Sequence, residues 1–152
     1  MSTSQNTVIK PGKVLEYAIT QGTDFNQGDL VYSNSGVTTA ATTADTHTQY
    51  LIGIALTSSP MDPAPYGTAV YPAYASVGYG GIYSLATTVG ESYIHDALVN
   101  VGAGGSQSVT TTAGSYPVGR IYNPAGTTIT GAAGVNVMVR VLNWSVTGAK
   151  LI

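Results

Sequence analysis

The side chains able to act as nucleophiles, acids, bases or metal ligands are few enough here to be taken one by one. His95 stands in Glu91-Ser92-Tyr93-Ile94-His95-Asp96, which places one histidine and two carboxylates within six residues. A metal site needs about three converging ligands. Neighbouring residues of an extended chain point to opposite faces, so a solvated or hydrogen-bonded histidine is the expectation. His47, in the polar run Asp45-Thr46-His47-Thr48, reads the same way. Asp24 and Asp29 bracket Phe25-Asn26-Gln27-Gly28. A glycosidase pair must face across a cleft, whereas carboxylates beside a turn usually cap backbone N–H groups. No Gly-x-Ser-x-Gly elbow presents a serine nucleophile. Gly102-Ala103-Gly104-Gly105 lacks the spacing of a phosphate-binding loop and reads as a plain connection. With no cysteine, thiolate chemistry and disulfides are excluded. The expectation is a non-enzymatic chain with no catalytic residue, metal or cofactor.

The elements that would position any such residue are strands. Among 152 residues, charged side chains make up 8%, against an ordinary level of about 25%. Thr, Ser, Gly, Ala and 11 Tyr take their place, and hydrophobic residues make up 43%. One domain of this size exposes on the order of 7,000 Å². Seven acidic and five basic groups then leave about one charge per 600 Å² of it, roughly a third of the usual density. Such a surface is expected to be largely covered by partner subunits. Five basic residues form no patch for phosphates, so direct nucleic-acid binding is not expected. No apolar run reaches the roughly 18 residues of a membrane helix, and no membrane partner is expected. The polar start, MSTSQNTVIKPGK, lacks the apolar centre of a signal peptide, so the triplet Asn143-Trp144-Ser145 is not expected to be glycosylated.

β-Branched and aromatic residues punctuated by glycine predict an all-β fold. The clearest strand is Val135–Leu142, whose alternate residues Val135, Val137, Val139 and Val141 make one face wholly valine. Further strands are expected at Lys13–Thr20, Asp29–Ser33, Tyr50–Thr57, Ala69–Tyr74, Gly81–Thr87, Ala97–Val101, Ser108–Thr112 and Val118–Tyr122. About nine short, mostly antiparallel strands at this spacing make a small barrel or sandwich. The chain divides into an extended arm (residues 1–12), a β domain (13–143) and a tail (144–152). An internal echo runs through the domain. Asp29–Tyr32, Val37–Thr39 and Leu51–Leu56 are followed by Ala97–Asn100, Val109–Thr111 and Pro117–Tyr122. The order repeated is an apolar strand, a Val-Thr-Thr strand and a strand with a central glycine, which reads as two similar three-strand units in one barrel. Gly53 and Gly119 inside strands predict bulges.

Partner contacts are expected at three places. The arm carries a small apolar knot, Thr7-Val8-Ile9-Lys10, and twelve extended residues reach up to about 40 Å. Tyr66, Tyr71, Tyr74, Tyr79 and Tyr83 run through a Gly/Pro-rich segment, and Trp144 is the single tryptophan. Tyrosine suits subunit interfaces, sugar stacking and ordinary packing alike.

Phe25-Asn26-Gln27-Gly28-Asp29-Leu30-Val31 followed by Leu51-Ile52-Gly53-Ile54-Ala55 resembles the Gly-Asp-Leu-Val and Leu-x-Gly-Ile-Ala pattern of capsid decoration (cement) proteins of tailed bacteriophages. The likeness continues through Val77–Tyr83, Asp96–Val99, Pro117–Ile121 and the valine strand, over about residues 22–142. It implies a compact β domain on the outer surface of the virion's capsid. That domain would bridge copies of the major capsid protein, usually as a homotrimer at local three-fold positions. Other virion β modules (a head-fibre base, a tail-associated protein) and glycan-binding sandwiches share the composition.

Overall fold

The computed structural model describes residues 6–19, 23–34, 37–40, 49–61, 64, 66–102, 107–112 and 117–141. No helix occurs among them. The strands are β1 (Thr7–Ala18), β2 (Leu30–Asn34), β3 (Val37–Ala40), β4 (Gln49–Ala55), β5 (Tyr74–Thr87), β6 (Ser92–Tyr93), β7 (Leu98–Val101), β8 (Ser108–Thr110), β9 (Pro117–Ile121), β10 (Ile129–Thr130) and β11 (Asn136–Val141). The fold is all-β. Its pairings are antiparallel except β5 with β8.

Strands β11, β9, β7, β8 and the second half of β5 close on themselves as a five-stranded barrel. The period-2 pattern of β11 works as its sequence predicts. Val137, Val139 and Val141 are buried in the barrel, while Met138 and Arg140 face out. Leu85, Tyr93, Val99, Val101, Val109, Val118 and Ile121 fill the same core. A separate core, the first in chain order, holds Ile19, Phe25, Val31, Ala55, Ala75 and Val77, with Tyr17 against it. It belongs to β1, β2, β4 and the first half of β5.

The two cores are built to one plan. Val31 pairs with Gly53 and Val99 with Gly119, and each ladder shifts register at the next residue. A Cβ on Gly53 would stand 2.1 Å from the Gly78 carbonyl oxygen, and one on Gly119 would stand 2.2 Å from that of Arg140. Hydrogen bonds repeat as well. Gly28 N–H donates to Ala55 O (2.8 Å) as Asp96 N–H does to Ile121 O (2.9 Å). Leu56 N–H donates to Ser76 O as Tyr122 N–H does to Met138 O, both at 2.8 Å, and Ile19 N–H to Ala73 O as Thr87 N–H to Val135 O, both at 3.1 Å. Gly28 and Asp96 occupy the same left-handed position, with φ of 96° and 66°. The echo in the sequence is therefore one of pairing and backbone. The Val-Thr-Thr segments sit one residue out of step, since Tyr32 faces Thr39 but Asn100 faces Thr110. The two units also occupy successive β modules rather than one barrel.

β5 is long because it ends the first module and begins the second. Ala75 and Val77 face the first core, and Tyr83 and Leu85 face the other. The join is Gly80–Gly81, with φ of 68° and 82°. The sequence reading places strands at Ala69–Tyr74 and Gly81–Thr87; of the first only Tyr74 is strand, and residues 75–80, left between the two, belong to β5 together with the glycines. They stay within the strand because β1 lies against them. A Cβ on Gly81 would stand 2.2 Å from the Lys10 carbonyl oxygen, and one on Gly78 would stand 2.9 Å from the Tyr83 hydroxyl. Strands β6 and β10, two residues each, are too short to leave a periodic signal.

Gly81→Ala combines a strained φ with a backbone clash and is expected to lower stability by more than about 2 kcal/mol. Gly126→Ala has a similar φ (80°) but open space around the new Cβ. It should cost only about 1 kcal/mol. Thermal or urea unfolding of both variants checks the contrast; equal losses would contradict the packing of β1 on Gly81.

Candidate interaction surface

The groups singled out for chemistry are engaged in holding turns and loops. Asp29 accepts a hydrogen bond from Asn26 N–H at 2.8 Å, closing the turn that leads into β2. Asp24 interacts with the Tyr71 hydroxyl, and that hydrogen bond, with burial and the nearby charge, raises the tyrosine's pKa. The two carboxylates therefore have separate partners. His95 Nδ1 accepts from Asn123 N–H at 2.9 Å, which commits its lone pair. Its Nε2 lies 3.6 Å from Asp96, and Tyr122 meets its ring edge-on.

Glu91 points elsewhere. Its carboxylate accepts from the Thr110 hydroxyl (2.7 and 2.9 Å), the Thr111 N–H (2.7 Å) and the Thr111 hydroxyl (2.6 Å). Burial alone would raise its pKa. The hydrogen bonds from Thr111 and Thr110, with one from Thr88, outweigh burial and hold it below the ordinary value. Glu91, His95 and Asp96 thus do not converge. Among the described residues no group of three His, Asp or Glu side chains is placed to hold a metal ion. His47 and Trp144 lie outside the described residues.

Buried polar groups are equally committed. The Tyr93 hydroxyl donates to Val109 O (2.6 Å) and accepts from Thr88 N–H (2.8 Å). Asn6 accepts from Ala86 N–H (2.8 Å) and donates to Gly28 O (3.0 Å) and Gln107 O (3.2 Å), tying the start of β1 to both modules. Gln107, at φ 58°, uses its amide as a stand-in strand against Leu30, accepting from the Leu30 N–H and donating to its carbonyl.

Exposed apolar side chains occur at Val89 and Ile94 among other places, and four of them share one strand, β1. Thr7–Gly12 of the arm is the first half of this strand, so the boundary drawn at residue 12 falls inside an element. β1 pairs with β5 from Thr7↔Ser84 to Ala18↔Tyr74, with a bulge at Ile9. Its side chains nevertheless stay largely in solvent on both faces. Val8, Ile9, Val14 and Leu15 are all exposed, Ile9 and Val14 by more than half. Lys10, Lys13 and Glu16 lie among them, and Glu16 accepts from the Ser76 hydroxyl at 2.6 Å. Of the expected contact tyrosines, Tyr66 is 87% exposed and Tyr74 62%; Tyr71 is half-buried on Asp24, and only the backbone of Tyr79 is described, opposite Lys13. Comparison with protein-family models and with curated proteins gives no match. No helix among the described residues is long and apolar enough to cross a membrane.

A group whose folded pKa is depressed stabilises the fold above its unfolded pKa, and that stability is lost as pH falls through the folded value. Glu91→Gln should therefore destabilise the protein at neutral pH, by roughly 1 kcal/mol after allowing for exposure. The gap to the parent should close as pH drops through and below the ordinary carboxylate range. Urea titrations at neutral and acid pH measure it; a gap that is constant with pH would contradict the assignment.

Proposed function

We propose that this chain is a non-enzymatic structural protein of a tailed-phage virion. It coats the outer surface of the assembled capsid, as trimers at local three-fold positions, and bridges major capsid proteins. The observation that carries this reading is β1, a twelve-residue strand hydrogen-bonded along β5 yet open on both faces, with Val8, Ile9, Val14 and Leu15 exposed. Large apolar groups on an otherwise charge-poor surface mark sites of association. Meanwhile Asp29, Glu91, His95 and Tyr93 are occupied with turns and loops. The sequence resemblance to capsid decoration proteins gives that association a setting, and function lies in contact area rather than in a pocket.

The mechanism is linkage. A protein that binds only the assembled shell stabilises it by RT ln(1 + [L]/Kd), about 2.7 kcal/mol per site at a hundredfold excess over Kd. Small increments repeated over many sites suffice to hold a shell against internal pressure.

Undecorated heads of the encoding phage provide the test. The protein should co-sediment with them to saturation and raise their disruption temperature. Val8→Asp with Ile9→Asp should weaken binding at least tenfold without unfolding the domain, since both side chains are solvent-exposed. Heads that neither bind nor gain stability would overturn the proposal.

A further inference from the structure

Strand register gathers cations that the sequence keeps apart. Arg120 of β9 lies directly opposite Arg140 of β11, Arg140 opposite Ile82 of β5, and Ile82 opposite Lys10 of β1. Residues directly opposite share a face of the sheet. Three of the chain's five basic residues therefore stand in one row across the outside of the second module. From β9 to β1 the row crosses three strand intervals, about 14 Å. Its other end is Leu98 of β7, opposite Arg120 and exposed. Tyr122 and Met138, each two positions along the chain from Arg120 and Arg140, lie on the same face and are exposed as well. No carboxylate answers these cations. Among the described residues the one ion pair joins His95 and Asp96. Arg120 donates to the Asp96 carbonyl oxygen at 2.9 Å rather than to its carboxylate. Among the same residues the Arg140 and Lys10 side chains form no hydrogen bond or ion pair.

Like charges set directly opposite each other destabilise a sheet, and nothing within the domain offsets the Arg120–Arg140 pair. We propose that this row binds an acidic segment of a partner protein, with carboxylates over the two guanidinium groups and apolar side chains against Leu98, Tyr122 and Met138. Guanidinium forks hold carboxylates through paired hydrogen bonds. Arg, Tyr and Met are also the residue types enriched where proteins meet. Protein carboxylates suit the row better than nucleic-acid phosphates do. Three cations fall short of the roughly six to ten phosphate contacts of a protein held on a duplex, and a net charge of −2 does not draw in a polyanion. Lys10 follows the exposed Ile9 in β1, so the row runs into the apolar side chains of that strand. Only the source of the acidic segment rests on the capsid reading, which would supply it from the major capsid protein.

The probe is a synthetic peptide of alternating Glu and Thr, titrated into isotope-labelled protein and followed by NMR. It should give saturable shifts at Leu98, Arg120, Arg140 and Lys10. Binding should weaken about tenfold in roughly 1 M salt, where the screening length is about 3 Å. The same peptide with Gln for Glu should give no shifts. Arg140→Glu turns the like pair into an opposite pair. It should raise the unfolding temperature of the free protein by about 2 °C at low salt and yet weaken peptide binding about tenfold. Arg140→Lys should keep the salt dependence but lose affinity several-fold, because an ammonium group makes no fork. No shifts with the acidic peptide, equal shifts with the Gln peptide, or unchanged affinity in Arg140→Glu would each overturn the site. Tighter binding of a DNA oligonucleotide of equal charge, lost in Arg140→Glu, would assign the row to phosphate and overturn the carboxylate partner. Because no capsid takes part, failure here leaves the capsid test standing; heads that do not bind while the peptide does would overturn the capsid reading alone.

Discussion

The architecture turns on one strand serving two cores. β5 gives Ala75 and Val77 to the first core and Tyr83 and Leu85 to the second, and the change of allegiance occurs over Gly80–Gly81. At Gly81 only a residue without a Cβ can take this angle, because another backbone lies 2–3 Å from where the Cβ would be. β1 is that backbone. Its position is fixed at one end by buried Asn6, which bonds to the turn before β2, to β5 and to Gln107. The bend, the sheet continuing across it and the strand beside it thus stand or fall together.

This dependence explains where polar chemistry went. A chain with so few charged groups has little to spare for turns and crossovers. Asp29 holds one turn, Glu91 gathers Thr110 and Thr111, and Tyr93 bridges Thr88 and Val109 from inside the core. Tyr83 and Tyr93 are raised in pKa chiefly by burial, as expected of packing residues. The apolar side chains of β1 are the resource not spent internally. A strand that is anchored along its length while most of its side chains stay in solvent is suited to recruiting another surface. Its anchoring also means that association costs little ordering of backbone.

Much of the fold was legible because it is written locally. The valines of β11 state their period, and Leu30-Val31 and Leu98-Val99 announce equivalent strands. Gly53 and Gly119 mark bulges before any partner is known. What was not legible depends on distant partners. Nothing near Gly78–Gly81 says that β1 will lie against it, so residues 75–80 fall between two expected strands. Phe25 and Tyr93 stand at the same place in the two modules, but short flanking strands hide the likeness. The arm's apolar knot at Val8-Ile9 was visible as a contact candidate; that it belongs to a strand running to Ala18 was not, because polar and apolar residues do not alternate along it. The Glu91–Thr110–Thr111 cluster had no sequence signal at all, being closed by residues about twenty positions away.

The claim that function resides on β1 is tested most directly by amide hydrogen exchange on the free protein and on the protein bound to undecorated heads. Binding should slow exchange along β1, most strongly where Val8, Ile9, Val14 and Leu15 are covered, and leave Glu91–Asp96 unchanged. Protection appearing around Glu91 and His95 with none in β1 would contradict the account.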